Sequence, residues 1–152
     1  MSRTQVRDTD AMEAALAQAR SAAADGEVPV GAVLLHHDQI VVATQNRMQR
    51  DGDATSHAEL LALRAGAHAL GDQLREATLV VSLEPCAMCA GAIVLSRIAR
   101  LVFGAWDVKA GMCGSVGDLV RHARLNHQPE VAAGVRHEEA SLLLQEFFAA
   151  RR

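Results

Sequence analysis

The stretch Ala77–Glu84, with the sequence ATLVVSLE, limits the possible folds of this chain more than any other segment. It is a short apolar run, rich in β-branched residues and bounded by turn residues, which is typical of a strand buried on both faces. Such a strand needs helices packed on each side of its sheet. The sequence therefore predicts a three-layer α/β domain with this strand at its centre.

Periodicity predicts that helices and strands alternate around this central strand. A helix is expected from about Asp10 to Ala24, with Asp8 or Thr9 near its cap and Gly26 after its end. The other predicted elements are a hairpin of the strands VPVGAVLLHH and QIVVATQN, a helix over His57–Leu70 that stops at Gly71, a helix over Cys86–Ile98 that is apolar all round and hence buried, a strand RLVFGAW, a short strand in VAAGVRH, and an amphipathic helix over Glu138–Arg152.

Composition excludes several classes of protein. With 50% hydrophobic and 22% charged residues, the 152-residue chain is expected to fold as a single domain, 1–152. The longest apolar stretch, 86–95, is far short of the ~20 residues that span a bilayer, and MSRTQVRDTD does not resemble a signal peptide. Three cysteines, an odd number, favour a reduced, cytoplasmic protein. A net charge of −3 does not suggest a broad nucleic-acid surface.

Two cysteines come directly after the central strand, in the sequence EPCAMC. Cys86 and Cys89 are three residues apart, so they lie on one face of the helix that begins there. A second motif, HAE at 57–59, also opens a predicted helix. Helix N-termini that face each other favour thiolates, the form of cysteine that binds metals. We therefore expect His57, Cys86 and Cys89 to hold one zinc ion.

Three protein ligands leave one position of a tetrahedral zinc ion open, which is typical of catalytic sites. A bound zinc ion lowers the pKa of a water molecule to roughly 7, which makes the water a nucleophile at neutral pH. Glu59 is then a carboxylate close to that water, able to accept its proton and to pass protons on. Glu59 is accordingly predicted to be the catalytic proton carrier.

Each motif also has a plainer interpretation. The cysteine pair could be a redox couple or two small core residues, and HAE alone occurs easily by chance. A structural zinc site would need a fourth protein ligand, and Cys113 is the only cysteine left to supply it. A redox couple leaves His57 and Glu59 without a role. Cys113 lies in a distant glycine-rich loop and is expected to be a small, partly buried hydrophobic side chain.

The combination H-x-E and P-C-x-x-C is the signature of zinc-dependent nucleobase deaminases. Over nearly its whole length the chain resembles the bacterial tRNA adenosine deaminases. The segments that carry this resemblance are EVPVGAV at 27–33, NR at 46–47, HAE at 57–59, LEPCAMCAGA at 83–92, SRIARLVFGA at 96–105, DVKAGMCGS at 107–115, LNHQPEV at 125–131 and FFAARR at 147–152. The chain departs from the family pattern at Ala54, Trp106, Val108, Met112–Cys113 and Ala123.

The resemblance implies zinc-dependent hydrolytic deamination of adenosine to inosine at the wobble position of a tRNA anticodon. It also implies a cytidine-deaminase-like fold, with a five-stranded mixed sheet between helices, and a homodimer. Asn46 is expected to hydrogen-bond the flipped base, and the loop with Asp107 and Lys109 to contact the nucleotide. Arg151 and Arg152 are expected to meet phosphates of the anticodon stem-loop, although by default they would stabilise the negative end of the last helix.

Two other functions stay open on the sequence. The zinc motifs would equally serve a deaminase of a free base or nucleoside, of the guanine or cytosine type. A non-catalytic subunit that only binds RNA is a third reading, which the intact Glu59 disfavours. The segments 107–115, 125–131 and 147–152 favour the tRNA-acting branch.

Overall fold

In the computed structural model, which describes residues 2–152, five strands form one mixed sheet with the order β2–β1–β3–β4–β5. The strands are β1 (Gly31–His36), β2 (Gln39–Gln45), β3 (Thr78–Leu83), β4 (Arg100–Ala105) and β5 (Glu130–Ala132). β1 runs antiparallel to both β2 and β3, whereas β3, β4 and β5 are parallel. The predicted fold class and the central place of β3 are therefore confirmed.

Helices cover both faces of this sheet. They are α1 (Arg3–Ala24), the single turn α2 (Met48–Asp51), α3 (Ala58–Leu70), α4 (Ala87–Ser96) and α5 (His137–Ala149), with a 3-10 segment at Gly71–Glu76. α1 and α5 pack against one face, and α3 and α4 pack against the other. Along β3, Leu79 and Val81 belong to one apolar layer and Val80 to the opposite one, which is the pattern of a strand buried on both faces.

The first helix begins at Arg3 rather than near Asp10. Ser2 caps it: its hydroxyl accepts from the backbone N–H of Gln5, whose side chain accepts in turn from the N–H of Ser2. Asp8 is therefore no cap. It is buried within the helix, and its carboxylate accepts hydrogen bonds of 2.9 and 3.0 Å from Arg100. The capping box and this ion pair extend the helix through a segment that has little apolar periodicity.

The prediction that α4 is buried all round is wrong. Its inner face packs into the core through Cys89, Ala90, Ile93 and Val94, but Leu95 is 85% exposed. The helix ends at Ser96 because Arg97 takes the left-handed conformation. α4 is the outermost layer on its side, and the described residues leave one of its apolar faces open to solvent.

The remaining elements agree with the predictions in kind, with shifted ends. The predicted hairpin forms, and its turn residues His37 and Asp38 both have positive φ, as a two-residue turn of type I′ requires. The one-turn helix α2 and the 3-10 segment were not predicted. Among residues 2–152, none of the helices is both long and apolar enough to cross a membrane.

Candidate metal centre and active site

The two predicted metal-binding motifs meet beyond the carboxyl end of β3. His57 is the N-cap residue of α3 and Cys86 is the N-cap residue of α4, so both helices begin at the same end of the sheet. The Sγ atoms of Cys86 and Cys89 each lie 3.6 Å from Nδ1 of His57. All three ligand atoms lie within 4.8 Å of one another. The structure therefore brings together the three residues predicted to bind zinc.

These distances fit a tetrahedral zinc ion. Bonds of about 2.3 Å to sulfur and about 2.0–2.1 Å to nitrogen place the sulfur and nitrogen ligands about 3.6 Å apart. Both sulfurs lie at that distance from Nδ1 of His57. The donor set and its spacing therefore suit zinc, with one coordination position left for a non-protein ligand.

Hydrogen bonds within the trio favour a thiolate at Cys86. Hydrogen bonds from Cys89 and then His57 lower the pKa of Cys86 to about 3, so its sulfur is a thiolate at neutral pH. The hydrogen bond to the Cys86 thiolate, together with burial, raises the pKa of Cys89. A cation between the two sulfurs would favour the thiolate form of both.

Cys113 does not join this group. Within the described residues, the metal-ligand cluster at this end of the sheet consists of His57, Cys86 and Cys89. Cys113 is fully buried, and burial raises the pKa of its thiol to about 12. Cys113 therefore supplies no fourth ligand to this group. It is a small side chain, as predicted, but it is fully rather than partly buried.

Glu59 lies in the first turn of α3, two residues after His57. Its side chain is buried, and it lines a cavity of about 160 Å³ together with His57 and Cys86. Burial, which penalises the charged form, raises the pKa of this carboxyl to about 7. A carboxyl with such a pKa exchanges protons readily near neutral pH, which is what a general acid and base requires.

The cavity beside Glu59 is small, and its lining is largely apolar. At about 30 Å³ for each water, its volume corresponds to roughly five water molecules. Val28, Val30 and Leu83 contribute apolar walls, while Asn46 and Asp107 contribute polar groups. A small, mainly apolar space with two polar side chains therefore lies directly beside the metal ligands.

Asn46 lines this cavity but is held from behind. Its side-chain oxygen accepts a 2.9 Å hydrogen bond from the backbone N–H of Ala58, and its side-chain nitrogen donates to the carbonyl of Val28 at 3.2 Å. These two bonds fix the amide in the cavity wall. The side-chain oxygen can still accept one hydrogen bond and the side-chain nitrogen can still donate one, so both atoms can contact a base.

Glu84 is a functional candidate that the sequence reasoning missed. Its buried carboxylate lies between the cavity and the loop 107–115, and it accepts backbone N–H bonds from Asp107 at 2.9 Å and from Cys113 and Ser115 at 3.0 Å. The Ser115 hydroxyl donates to it as well. Burial alone would raise its pKa, but the bonds from Ser115 and the backbone hold the pKa of Glu84 below the usual value.

The only sequence signal for this role was the position of Glu84 directly after the buried strand. An acid there has to find buried donors, because an unpaired buried carboxylate is costly. The donors come from a loop more than twenty residues further along the chain. Asp107 itself caps that loop, since its Oδ1 accepts from the N–H groups of Lys109 and Ala110.

A larger groove of about 770 Å³ adjoins the cavity and shares Val28, Leu83, Asp107 and Ala110 with it. Trp106 and Phe148, which are 44% and 48% exposed, contribute aromatic rings to its lining. Lys109 and Arg152 supply its cations. The structure thus places two of the predicted substrate-binding cations, Lys109 and Arg152, next to the predicted active site.

Arg151 is placed differently. Its guanidinium lies 3.4 Å from the centroid of the Phe147 ring and donates to the carbonyl of Phe147 at 3.1 Å. It does not line the groove. This is the helix-end stabilisation given above as its default role, and contact between Arg151 and a substrate stays a prediction.

Comparisons with known proteins agree with this site. Residues 5–105 match the family model described as the cytidine and deoxycytidylate deaminase zinc-binding region. The fold and the His-Cys-Cys site therefore define a zinc-dependent deaminase. A tRNA-specific adenosine deaminase of Bacillus subtilis (strain 168) is 44% identical over 138 residues, which are 90% of this chain and 86% of that protein. The chain belongs to the tRNA-specific adenosine deaminase family.

Solved structures give the same result. One, from biochemical and structural studies of A-to-I editing by tRNA:A34 deaminases at the wobble position of transfer RNA, is 40% identical with a TM-score of 0.85. That match covers 90% of this chain and 99% of the other. A guanine deaminase from Nitrosomonas europaea has a TM-score of 0.80 over 98% of this chain and 94% of its own, but at 23% identity this likeness shows the fold alone. The predicted family resemblance is confirmed.

Proposed function

We propose that this chain converts adenosine to inosine at the wobble position of a tRNA anticodon by zinc-dependent hydrolysis. The observation that carries the proposal is the joining of two spaces. A cavity of about 160 Å³ holds Glu59 beside the zinc ligands, and it opens into a groove with aromatic and cationic walls. A substrate that fits both spaces has one base to be deaminated and a charged, base-bearing chain on either side of it.

The reaction follows from the side chains in the cavity. His57, Cys86 and Cys89 would hold the zinc ion, which when bound supplies a water molecule of lowered pKa. Glu59 accepts a proton as this water attacks the ring carbon that bears the amino group. The same carboxyl passes this proton to the ring nitrogen; it then accepts the proton of the newly formed hydroxyl group and donates it to the departing amine. Adenosine and water thereby give inosine and ammonia, and Glu59 returns to its starting state.

Recognition of the base is assigned to the cavity wall. Asn46 is fixed by two hydrogen bonds to the backbone, so its remaining donor and acceptor positions are already oriented for a base. A base in an anticodon loop is already partly unstacked, so extruding it costs a few kcal/mol at most.

Contacts to the flanking nucleotides are assigned to the groove. Trp106 and Phe148 offer ring faces for stacking, which is how single-stranded RNA is commonly held. Lys109 and Arg152 would meet phosphates, and Arg151, next to Arg152 in the chain, would add charge at the groove's end. These cations lie together despite the net charge of −3, so a local patch and not the overall charge would attract RNA.

The exposed face of α4 supports a homodimer. Met88, Gly91 and Ala92 are half-buried and Leu95 is 85% exposed, and the helix spacing aligns them in one apolar stripe. α4 also carries Cys89 on its inner face, so a second copy packed on this stripe would support the zinc site from outside. A single deaminase domain over 1–152 and a cytoplasmic location, where tRNA is found, complete the proposal.

The proposal is tested by turnover on a short anticodon stem-loop with adenosine at the wobble position, compared with free adenosine, cytosine and guanine. We expect efficient inosine formation only in the stem-loop, with binding that weakens as salt rises because phosphate contacts release counterions. Faster conversion of a free base, or binding without salt dependence, would instead assign the chain to the small-molecule deaminases.

Variants locate the RNA contacts. Lys109→Ala and Arg152→Ala should each raise KM for the stem-loop and reduce the slope of log K against log salt by about 0.7, the value for one single-strand phosphate contact. Arg75→Ala is the matched control, since Arg75 is an exposed arginine of the 3-10 segment and lies outside the groove. An equal effect of all three substitutions would contradict the assignment.

A further inference from the structure

A second group of metal-ligating side chains lies at the other end of the sheet. His36 ends β1, His37 begins the hairpin turn, and Glu76 ends the 3-10 segment. One ligand atom from each of these residues lies within 4.8 Å of the others. Since Leu35 pairs with Thr78 at the start of β3, this group is separated from the active-site end by the length of β3, roughly 17 Å at about 3.3 Å per residue.

The imidazole of His36 has a buried nitrogen atom without a hydrogen-bond partner among the described residues, which is the main evidence for a ligand here. Its side chain is only 9% exposed, and its buried Nε2 atom has no hydrogen-bond partner within the described part of the chain. Buried polar atoms are nearly always paired, so an unpaired one needs an explanation. This Nε2 atom faces the Glu76 carboxylate, with 3.5 Å to its Oε1 atom.

His37 brings a second nitrogen to the same carboxylate oxygen. Its Nε2 atom lies 3.3 Å from Oε1 of Glu76, and its ring stacks on that of His36 with centroids 3.9 Å apart. A tetrahedral ion with bonds of about 2.0–2.1 Å places nitrogen and oxygen ligands about 3.3 Å apart. Both observed nitrogen-to-oxygen distances are close to that value. The His37 side chain is 74% exposed, so its ring is free to turn its lone pair toward a shared ion.

We propose that His36, His37 and Glu76 bind a divalent transition-metal ion of the zinc type, separate from the catalytic site. Two imidazoles and one carboxylate suit Zn²⁺, Cu²⁺ or Ni²⁺, whereas Mg²⁺ and Ca²⁺ require mainly oxygen ligands. The neighbouring Asp38 carboxylate is taken by Arg7, which leaves Glu76 as the acidic ligand. The ion gives the buried Nε2 atom of His36 its missing partner.

The expected consequence is local stabilisation. The ion would join the β1–β2 hairpin to the 3-10 segment that precedes β3, two segments about forty residues apart in the chain. A ligand that binds only the folded state raises the melting temperature, and the rise continues as the free ligand concentration increases above Kd. The catalytic cavity does not include these residues, so turnover is expected to be unchanged.

The test uses protein that already holds one zinc ion per chain. Calorimetric titration with Zn²⁺ should show one further ion per chain, and added Zn²⁺ should raise the melting temperature. Glu76→Gln and His37→Gln, both at exposed side chains, should weaken this binding at least tenfold, and His36→Gln should abolish it. His68→Gln is the control, because His68 is an exposed histidine of α3 outside the group.

Bound Cu²⁺ gives an independent measurement. Its electron paramagnetic resonance spectrum should show coupling to two imidazole nitrogens in the wild type and to one in His37→Gln. Absence of a second ion, or equal affinity in the wild type and in Glu76→Gln and His37→Gln, would overturn the proposal. If His36→Gln does not fold, these two exposed substitutions still decide it.

Discussion

Replacement of Glu84 by glutamine tests whether this carboxylate orders the loop 107–115. Its Oε1 atom accepts from Asp107 and the Ser115 hydroxyl, and its Oε2 atom accepts from the N–H groups of Cys113 and Ser115. In Glu84→Gln, an NH₂ group takes the place of one oxygen. If this NH₂ group lies on the Oε2 side, it faces two N–H donors, those of Cys113 and Ser115. Facing the Oε1 side it opposes only the N–H of Asp107, because the Ser115 hydroxyl can reverse and accept.

The more stable orientation therefore has the NH₂ group on the Oε1 side. It loses one charge-assisted hydrogen bond, worth about 1.5–3 kcal/mol, and the bonds that remain become weaker because the carboxylate charge is gone. We expect a loss of about 2–4 kcal/mol in the free energy that orders the loop. Since tenfold corresponds to about 1.4 kcal/mol, kcat/KM for the stem-loop should fall by up to about 30- to 800-fold. The zinc content should stay at one ion per chain.

The assays are stem-loop kinetics, metal analysis and thermal unfolding. Gly111→Ala perturbs the same contact from the loop side, because an added Cβ would lie 2.2 Å from the Glu84 carboxyl carbon. It should therefore reproduce the phenotype of Glu84→Gln. Glu138→Gln, at an exposed glutamate of α5, removes one charge as well and should leave kinetics unchanged. Wild-type kcat/KM in both Glu84→Gln and Gly111→Ala would refute the reasoning.

Three other substitutions test the remaining parts of the site and fold. Cys86→Ser should lose most of the zinc, and with it part of the stability, because metal binding and folding are linked; full zinc occupancy on metal analysis would remove Cys86 from the ligands. Glu59→Gln should keep zinc and RNA binding but lower turnover by at least about 10²–10⁴ in single-turnover assays, and near-normal rates would require another base. Asp8→Ala should cost about 1.5–3 kcal/mol in urea unfolding, since it removes the hydrogen bonds between Asp8 and Arg100 and leaves Arg100 paired with Glu130 alone; an unchanged midpoint would show that the pair contributes little.

Local features of this chain were predictable because local spacing decides them. A short apolar run rich in β-branched residues marked β3 as a buried central strand, and the structure places it there. The hairpin of β1 and β2 was also predicted, since the conformation of its short turn at His37–Asp38 depends on adjacent residues. For the same reason Cys86 and Cys89, three residues apart at a helix start, could be read as a pair of ligands.

The sequence predicted that the two metal-binding motifs lie at the same end of the sheet, but not how far apart their ligand atoms are. Each motif opens a helix, and one strand separates the two helices, so their starts had to lie at one end of the sheet. The 3.6 Å spacing that suits zinc depends on how α3 and α4 pack, which the sequence did not specify. The family resemblance supplied the roles of Asn46 and Asp107, and the structure then showed which backbone groups hold them.

Contacts between distant segments were decided by the tertiary structure alone. The Asp8–Arg100 pair joins residues 92 apart, and Glu84 binds a loop that begins 23 residues later. His36 meets Glu76 at one end of the sheet, 40 residues further along the chain. The exposure of Leu95 likewise depends on which helix is outermost, because an apolar helix has the same sequence pattern whether one or both of its faces are covered. The periodicity of apolar residues indicates the secondary structure of a segment. Which segments contact one another depends on packing and on the need of buried polar groups for hydrogen-bond partners.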